Sequence, residues 1–258
     1  MTASDSLHAL VSERDHAEAA RIATAAGEML VALRVRMVAE GAPPSLLKHA
    51  GDRTAHDLIM AELTTGFPDD AVLSEEGVDL AERLRSTRTW IVDPLDGTRE
   101  FGENPRSDWA VHIALVIDER PVVGAVALPA MGLTLSTHRP NSLTPPHEGP
   151  PRLIVSRSRP PVAAMIVAEA MGAQLIAMGS AGAKAMAVVL GHADIYAHSG
   201  GQYEWDSCAP VAVAAAAGLH VSRIDGSPLR YNQPDPYLPD LLICRPEMAA
   251  EALRALNG

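Results

Sequence analysis

The stretch that most limits the folds open to this chain is WIVDPLDGT, at positions 90–98. It begins as a short apolar run with β-branched residues, which is typical of a buried strand. Pro94 then fixes its own φ and keeps Asp93 extended, so the turn after the strand is stiff. Two carboxylates, Asp93 and Asp96, are therefore held at the end of a strand.

This turn has two interpretations. Gly97 and Thr98 offer backbone N–H groups that can approach an anion closely, and carboxylate oxygens beside amide donors suit a Mg²⁺–phosphate site. Asp, Pro and Gly are also the ordinary residues of a surface turn. The stretch alone leaves both interpretations open, and two further acidic motifs favour the first.

The two further motifs are LSEEG at 73–77 and WDSCAP at 205–210. A strand at 71–74 would deliver Glu75 and Glu76, of which only one can face a site, because adjacent residues of an extended segment point opposite ways. Asp206 would lie just before a helix that tolerates Pro210 in its first turn. As the N-cap of that helix, Asp206 would also have a purely structural role.

Together these motifs resemble the signature of the inositol monophosphatase-like family of Mg²⁺-dependent, Li⁺-sensitive phosphatases, and they occur in that family's order. The resemblance implies an α/β layered sandwich. An N-terminal α+β lobe with an antiparallel sheet would occupy residues 1–139, and a C-terminal α/β lobe residues 152–258. Five prolines between residues 139 and 151 place the connection at 140–151.

The resemblance also implies roles for individual residues. Glu75, Asp93 and the Leu95 carbonyl would hold one Mg²⁺, and Asp93, Asp96 and Asp206 a second, with two or three ions in all. Thr98 and Asp57 would orient and deprotonate the attacking water. Substrate contacts would come from the following residues: Glu75, Leu95, Asp96, Gly97, Thr98, Gly179, Ser180, Lys184 and Asp206.

Three features favour a nucleotide substrate over an inositol phosphate. WDSCAP is closer to the nucleotidase form of its motif. GSAGAK at 179–184 resembles the Gly-x-Ala-Gly-x-Lys of the bisphosphate nucleotidase branch, in which the lysine faces the substrate. By this resemblance Lys184 stands where inositol enzymes have a neutral residue, and its charge can meet a second phosphate, the one that is not hydrolysed. Seven residues before Asp206, where inositol enzymes present a glutamate, this chain has Ser199.

The expected reaction is hydrolysis of 3′-phosphoadenosine 5′-phosphate, and of 3′-phosphoadenylyl sulfate, in sulfur assimilation. Inositol-1-phosphatase or fructose-1,6-bisphosphatase activity is the alternative within the enzyme class. A catalytically silent cation-binding regulator is the alternative outside it.

In the first half, apolar periodicity predicts one long helix, or two in line, over residues 7–38. Residues 42–53 have little periodicity and are expected to form a loop. Thr54 is then the expected N-cap of a helix that ends near residue 65, with Asp57 in its first turn. A hairpin is expected at 109–117 and 122–128, with another strand at 133–137. His112, on this hairpin, is expected to be a core or strand-face residue.

In the second half, short strands alternate with helices, as in α/β units. The expected strands are 153–155, 174–176, 195–197, 219–222 and 241–243. The expected helices are 162–171, 183–190, 209–217 and one that begins at Pro246.

The balance of charge and the cysteine count limit the partners and the compartment. A net charge of −11 argues against a nucleic-acid polymer as partner, and it favours a metal-loaded site for an anionic substrate. Two cysteines suit a reducing compartment, and we expect neither a signal peptide nor a membrane helix. The expected protein is cytoplasmic and acts on a small-molecule phosphate ester, and the resemblance implies a homodimer.

Overall fold

The structure, a computed structural model, describes residues 10–258. The first three residues of the predicted helix 7–38 lie outside that range. Its helices are α1 Glu13–Ala39, α2 Pro44–Gly66, α3 Thr98–Gly102, α4 Val162–Met171, α5 Ala181–Val189, α6 Glu204–Ala216 and α7 Ala249–Asn257. Its strands are β1 Ala71–Ser74, β2 Thr89–Asp96, β3 Ala110–Ile117, β4 Arg120–Leu128, β5 Leu133–Ser136, β6 Arg152–Ser156, β7 Gln174–Met178, β8 Ile195–Ser199, β9 His220–Ser222 and β10 Asp240–Cys244.

Five layers of helix and sheet build the molecule. Helices α1 and α2 cover one face of the first sheet, and α5 and α6 lie between the two sheets. Helices α4 and α7 cover the outer face of the second sheet. The chain is therefore an α/β layered sandwich, as predicted.

The first sheet has the order β1-β2-β3-β4-β5. Strand β1 is parallel to β2, and the other pairs are antiparallel. Strands β2 and β3 are buried along their whole length because helices cover both faces. The face that carries Ile91 looks toward α5 and α6, so Asp93, two residues later, points to the same layer.

The second sheet has the order β7-β6-β8-β10-β9. Strand β6 is parallel to β7 and β8, whereas β10 is antiparallel to β8 and β9. The predicted strands all occur, but the sheet is mixed. The division into lobes at 140–151 stays a prediction.

The prediction of a loop at 42–53 is wrong, because α2 begins at Pro44 and runs without a break to Gly66. Its buried residues recur every fourth position, at Leu47, Gly51, Ala55, Ile59 and Leu63, so one face packs along the whole helix. Thr54 is not an N-cap. It lies inside α2, where its hydroxyl donates to the Ala50 carbonyl at 2.6 Å.

Helix α6 begins at Glu204, five residues earlier than the sequence predicted. Asp206 is consequently inside the first turn, where its carboxylate accepts the Tyr203 N–H at 2.8 Å. The final helix is preceded by a short 3₁₀ turn that starts at Pro246. Across residues 10–258, no helix combines the length and apolar character that a membrane crossing requires.

Candidate active site

Three carboxylates from two elements meet where β2 ends. The pairing of β2 with β3 is irregular between Asp93 and Asp96, so both side chains turn toward the middle layer. The first turn of α6 brings Asp206 to the same place. One oxygen from each carboxylate lies within 4.8 Å of the others.

The crowding of these carboxylates perturbs their pKa values. Burial, and then the charges of Glu75, Asp96 and Asp206, raise the pKa of Asp93 well above its usual range. Burial and the charge of Asp96 raise the pKa of Asp206 to about 6. Repulsion of this kind is relieved by a cation, and an all-oxygen donor set is the kind that Mg²⁺ prefers.

Glu75 completes the cluster from the end of β1. Its backbone N–H donates to the Val92 carbonyl at 3.3 Å, which places its side chain over the end of β2. Glu75 is still reached by solvent. Partial loss of hydration raises its pKa to about 7, with a further contribution from the charges of Asp206 and Asp96. A hydrogen bond with Asp93 acts in the opposite direction and lowers this pKa. Glu75 thus lies beside Asp93, and its role as a metal ligand stays a prediction.

Asp96 is held by the start of α5. It accepts hydrogen bonds from the Ser180 hydroxyl at 2.5 Å, the Gly182 N–H at 2.6 Å and the Ala181 N–H at 3.1 Å. Burial alone would raise the pKa of Asp96, but hydrogen bonds from His112 and Ser180 and the charges of His112 and Lys184 hold it well below its usual range. Asp96 therefore stays ionised without a metal.

Gly97 allows this close approach. Its φ is +84°, and a Cβ at this position would lie 3.0 Å from the Ser180 Cβ and 3.1 Å from the Asp108 carbonyl oxygen. Any other residue would be strained in its backbone and would push the start of α5 away. The glycine in the motif thus sets the spacing between β2 and α5.

His112 links the elements that carry the carboxylates, a role that the sequence analysis missed. Its Nδ1 lies 3.0 Å from the Trp205 carbonyl oxygen and donates to it, and its Nε2 lies 3.2 Å from Asp96 Oδ2. Burial of the ring lowers the pKa of His112, but the hydrogen bond and the charge of Asp96 raise it by more, so the pKa lies above its usual value. Gly182 leaves the space for this ring, since a Cβ at that position would lie 2.0 Å from His112 Nε2.

The predicted pairing of Thr98 with Asp57 is wrong, because Asp52 occupies that position. The Thr98 hydroxyl lies 3.2 Å from Asp52 Oδ1 and 3.0 Å from the Leu95 carbonyl oxygen. Burial and the charge of Glu76 raise the pKa of Asp52 to about 6. The Asp57 side chain is 67% exposed and lies 3.9 Å from Arg53.

Gly51 explains why Asp52 reaches Thr98. A Cβ on Gly51 would lie 2.7 Å from the Phe101 ring and 2.8 Å from Leu95 Cδ2. The absence of that Cβ lets α2 approach the turn between β2 and α3 closely. The sequence analysis placed Gly51 in a loop and therefore missed this approach.

The GSAGAK segment forms the turn from β7 into α5. Gly179 donates its N–H to Asp108 at 2.6 Å, and Ser180 has a φ of +50°. Lys184 is 6% exposed, and its ammonium group donates to the carbonyls of Ser180 at 2.6 Å and Gly179 at 3.4 Å. The predicted substrate contacts of these three residues stay predictions.

A cleft of about 510 Å³ extends from Asp96 and Asp206. Its wall includes Lys184 and two further basic side chains, Arg159 and His198. Burial lowers the pKa of His198 to about 4, so this ring is neutral near pH 7. The arrangement offers carboxylates for cations at one side and positive charge for a second anion along the wall.

Comparison with known proteins agrees with this chemistry. A family model described as the inositol monophosphatase family matches residues 14–145 and 151–257. The chain is 49% identical over 247 residues to the 3′-phosphoadenosine 5′-phosphate phosphatase of Mycobacterium leprae, covering 91% of this chain and 90% of that protein. It is 35% identical over 201 residues to the 3′(2′),5′-bisphosphate nucleotidase CysQ of Escherichia coli, covering 73% and 81%.

Solved structures share the fold. CysQ from Bacteroides thetaiotaomicron is 27% identical with a TM-score of 0.75, covering 92% of this chain and 98% of that one. An inositol monophosphatase from Anabaena gives the same TM-score at 24% identity, covering 94% and 95%.

Proposed function

The chain belongs to the inositol monophosphatase family, and we propose that it is a metal-dependent phosphatase that converts 3′-phosphoadenosine 5′-phosphate to AMP and phosphate. The observation that carries the choice of substrate is the 49% identity, over most of both chains, to a protein named for that activity. The cleft agrees with it, since carboxylates and basic side chains line the same cleft. We extend the proposal to 3′-phosphoadenylyl sulfate and to a role in sulfur assimilation.

Two sets of ligands would hold the metal. Glu75, Asp93 and the Leu95 carbonyl form one set, and Asp93, Asp96 and Asp206 the other, so two or three Mg²⁺ ions would bind and Li⁺ would inhibit. Such ions, when bound, neutralise phosphoryl oxygens and lower the pKa of a bound water. The support in this chain is the donor set of hard oxygens, of which three converge within 4.8 Å.

The protein's own groups would orient and deprotonate the water. As the water attacks the phosphorus, Thr98 would take up the proton that the water loses and pass its own hydroxyl proton to Asp52, 3.2 Å away. A pKa of about 6 suits Asp52 to act as a base near neutral pH. The amides of Gly97 and Thr98 would contact the phosphate that is cleaved.

His112 would act as a positioning residue. Through Asp96 and the Trp205 carbonyl it joins the β2 turn to the first turn of α6. The separation between Asp96 and Asp206 therefore depends on this ring. Burial of the ring keeps it from exchanging these partners for water.

The test is a comparison of kcat/KM for 3′-phosphoadenosine 5′-phosphate, inositol-1-phosphate and fructose-1,6-bisphosphate, each with Mg²⁺ and with a chelator. We expect the nucleotide to exceed the others by about tenfold or more, equivalent to ~1.4 kcal/mol in the barrier. Equal or greater activity on inositol-1-phosphate would favour the alternative substrate. Absence of Mg²⁺-dependent phosphate release from all three would favour a silent cation-binding protein.

We also propose a cytoplasmic homodimer. The two cysteines, Cys208 and Cys244, are both free and buried, which supports a reducing compartment. Size-exclusion chromatography with light scattering would measure the oligomeric state.

A further inference from the structure

The cleft beside the carboxylates is lined by two long basic side chains, Lys184 and Arg159. We propose that Arg159 binds the phosphate that is not hydrolysed, and that it makes the cleft selective for nucleotides with a second, 5′-linked anionic group. This inference rests on the proposed function. It assigns to Arg159 a role that the sequence analysis gave to Lys184.

Lys184 is poorly suited to bind a substrate phosphate. Its ammonium group is buried, donates to the Ser180 carbonyl at 2.6 Å and lies 5.4 Å from the centre of the Tyr196 ring. These contacts hold the turn at residues 179–180 in place. The two amides that follow this turn, those of Ala181 and Gly182, donate to Asp96. To reach a phosphate, the ammonium would have to give up the carbonyl that it already binds.

Arg159, in contrast, has its guanidinium available. It is exposed on the cleft wall, and within residues 10–258 its side chain has neither an ion pair nor a hydrogen bond. The neighbouring Arg157 is different, since it contacts Glu100 at 2.8 Å and Glu103 at 2.9 Å. A planar guanidinium binds a phosphate through two parallel hydrogen bonds, which an ammonium does not.

The backbone around Arg159 is restrained. Its N–H donates to the Ser156 hydroxyl at 3.4 Å, and Pro160 and Pro161 follow it. The two prolines restrict the backbone of this segment, so less backbone freedom is lost when Arg159 binds a ligand. Helix α4 begins immediately afterwards at Val162, so its positive end adds to the potential at this wall.

The experiment compares Arg159→Gln with wild type on two matched substrates, 3′-phosphoadenosine 5′-phosphate and adenosine 3′-monophosphate. These differ only in the 5′-phosphate. We expect kcat/KM for the bisphosphate to fall by about ten- to a hundredfold, the usual effect of losing a charge-assisted hydrogen bond. The value for the monophosphate should change by less than about twofold.

Arg120→Gln is the matched control, because Arg120 is also an exposed arginine. It is the first residue of β4 and pairs with the last residue of β3, whereas Asp96 pairs with the first residue of β3. Arg120 therefore lies far from the cleft. The substitution should leave both substrates unaffected. Arg159→Lys should restore part of the activity on the bisphosphate. Equal activity of Arg159→Gln and wild type on the bisphosphate, or an equal loss on both substrates, would overturn the inference.

Two further measurements separate the possible explanations. Lys184→Met should lower kcat/KM for both substrates alike, because it loosens the turn that binds Asp96. A loss confined to the bisphosphate would instead show that Lys184 binds the second phosphate, and it would overturn the assignment to Arg159. A parallel loss by Arg159→Gln on 3′-phosphoadenylyl sulfate would show that Arg159 binds the 5′-phosphate that both nucleotides share. If wild type releases no phosphate from the bisphosphate, the proposed function fails, which is a separate result.

Discussion

Asp52 and Asp57 lie on the same helix but face different directions. Five residues of an α-helix correspond to a rotation of about 140° from the starting direction. Asp52, next to Gly51, consequently faces the β2 turn, whereas Asp57 faces solvent beside Arg53. Only Asp52 is placed to accept a proton by way of Thr98.

We predict that Asp52→Asn lowers kcat by about 10²–10⁴-fold, the usual contribution of a general base. An amide keeps the shape of the side chain and a hydrogen bond to Thr98, but it cannot take up a proton. The measurement is steady-state phosphate release at saturating substrate and Mg²⁺.

Asp57→Asn is the control and should retain nearly full activity, since it removes a charge from an exposed residue of the same helix. Full activity in Asp52→Asn would refute the role of Asp52. Loss of activity in Asp57→Asn alone would restore the assignment made from the sequence.

The residues that the structure brings together as the sequence predicted are those carried by local motifs. Asp93 and Asp96 are fixed by the proline turn that follows their own strand, and Asp206 by the turn that begins its helix. Asp52 and His112 depend on packing between distant segments. No local pattern distinguishes Asp52 from Asp57, and the apolar neighbours of His112 are those of any buried strand.

At the scale of elements, α2 shows how a weak local signal is overridden. The segment 42–53 contains Pro43 and Pro44, two glycines nearby and few strongly apolar residues, so its periodicity is faint. In the folded chain Pro44 occupies the first turn, where its missing N–H costs nothing. Packing of Leu47 and Gly51 against the first sheet then extends the helix toward the N-terminus.

The contact between α5 and β3 gives a second prediction. In Gly182→Ala the new methyl group would lie 2.0 Å from His112 Nε2, so the ring or the helix has to move. We expect a loss of about 1–3 kcal/mol in the free energy of unfolding, as in other overpacked cores. We also expect kcat to fall, because His112 joins Asp96 to the carbonyl beside Asp206.

Gly66→Ala is the matched substitution in a helix without such a neighbour. A Cβ there would come no closer than 3.8 Å to the Arg14 side chain. Thermal denaturation should show an unchanged or slightly higher Tm, because alanine has the greater helix propensity. Equal behaviour of the two variants would mean that His112 does not restrict this contact.

At the scale of the whole molecule, the carboxylate cluster couples stability to pH. Glu75 and Asp206 have folded pKa values of about 7 and about 6, and that of Asp93 is also raised, all above the value near 4 expected in the unfolded chain. The protonated carboxyls therefore favour the folded state at low pH. This contribution is lost as pH rises from about 4 through 7.

We predict that Mg²⁺ raises the Tm more at pH 8 than at pH 5. Cations bind the ionised carboxylates and remove the repulsion that accumulates over that pH window. The measurement is the difference in Tm between samples with Mg²⁺ and with a chelator, across pH 5–8, so that the titration of other groups largely cancels. A difference that is constant or that falls with pH would contradict this account of the cluster.

The middle layer of the sandwich has a consequence for how the protein is made. Helices α5 and α6 come from the second half of the chain but cover the first sheet. A ribosome therefore releases Asp93 and Asp96 long before it has synthesised Asp206, and domains generally begin to fold from the N-terminus during synthesis. A nascent polypeptide that ends before α6 has an uncovered sheet and an incomplete set of carboxylates. On the proposed set of ligands, chemistry would require Asp206 and would therefore begin only after α6 has been synthesised.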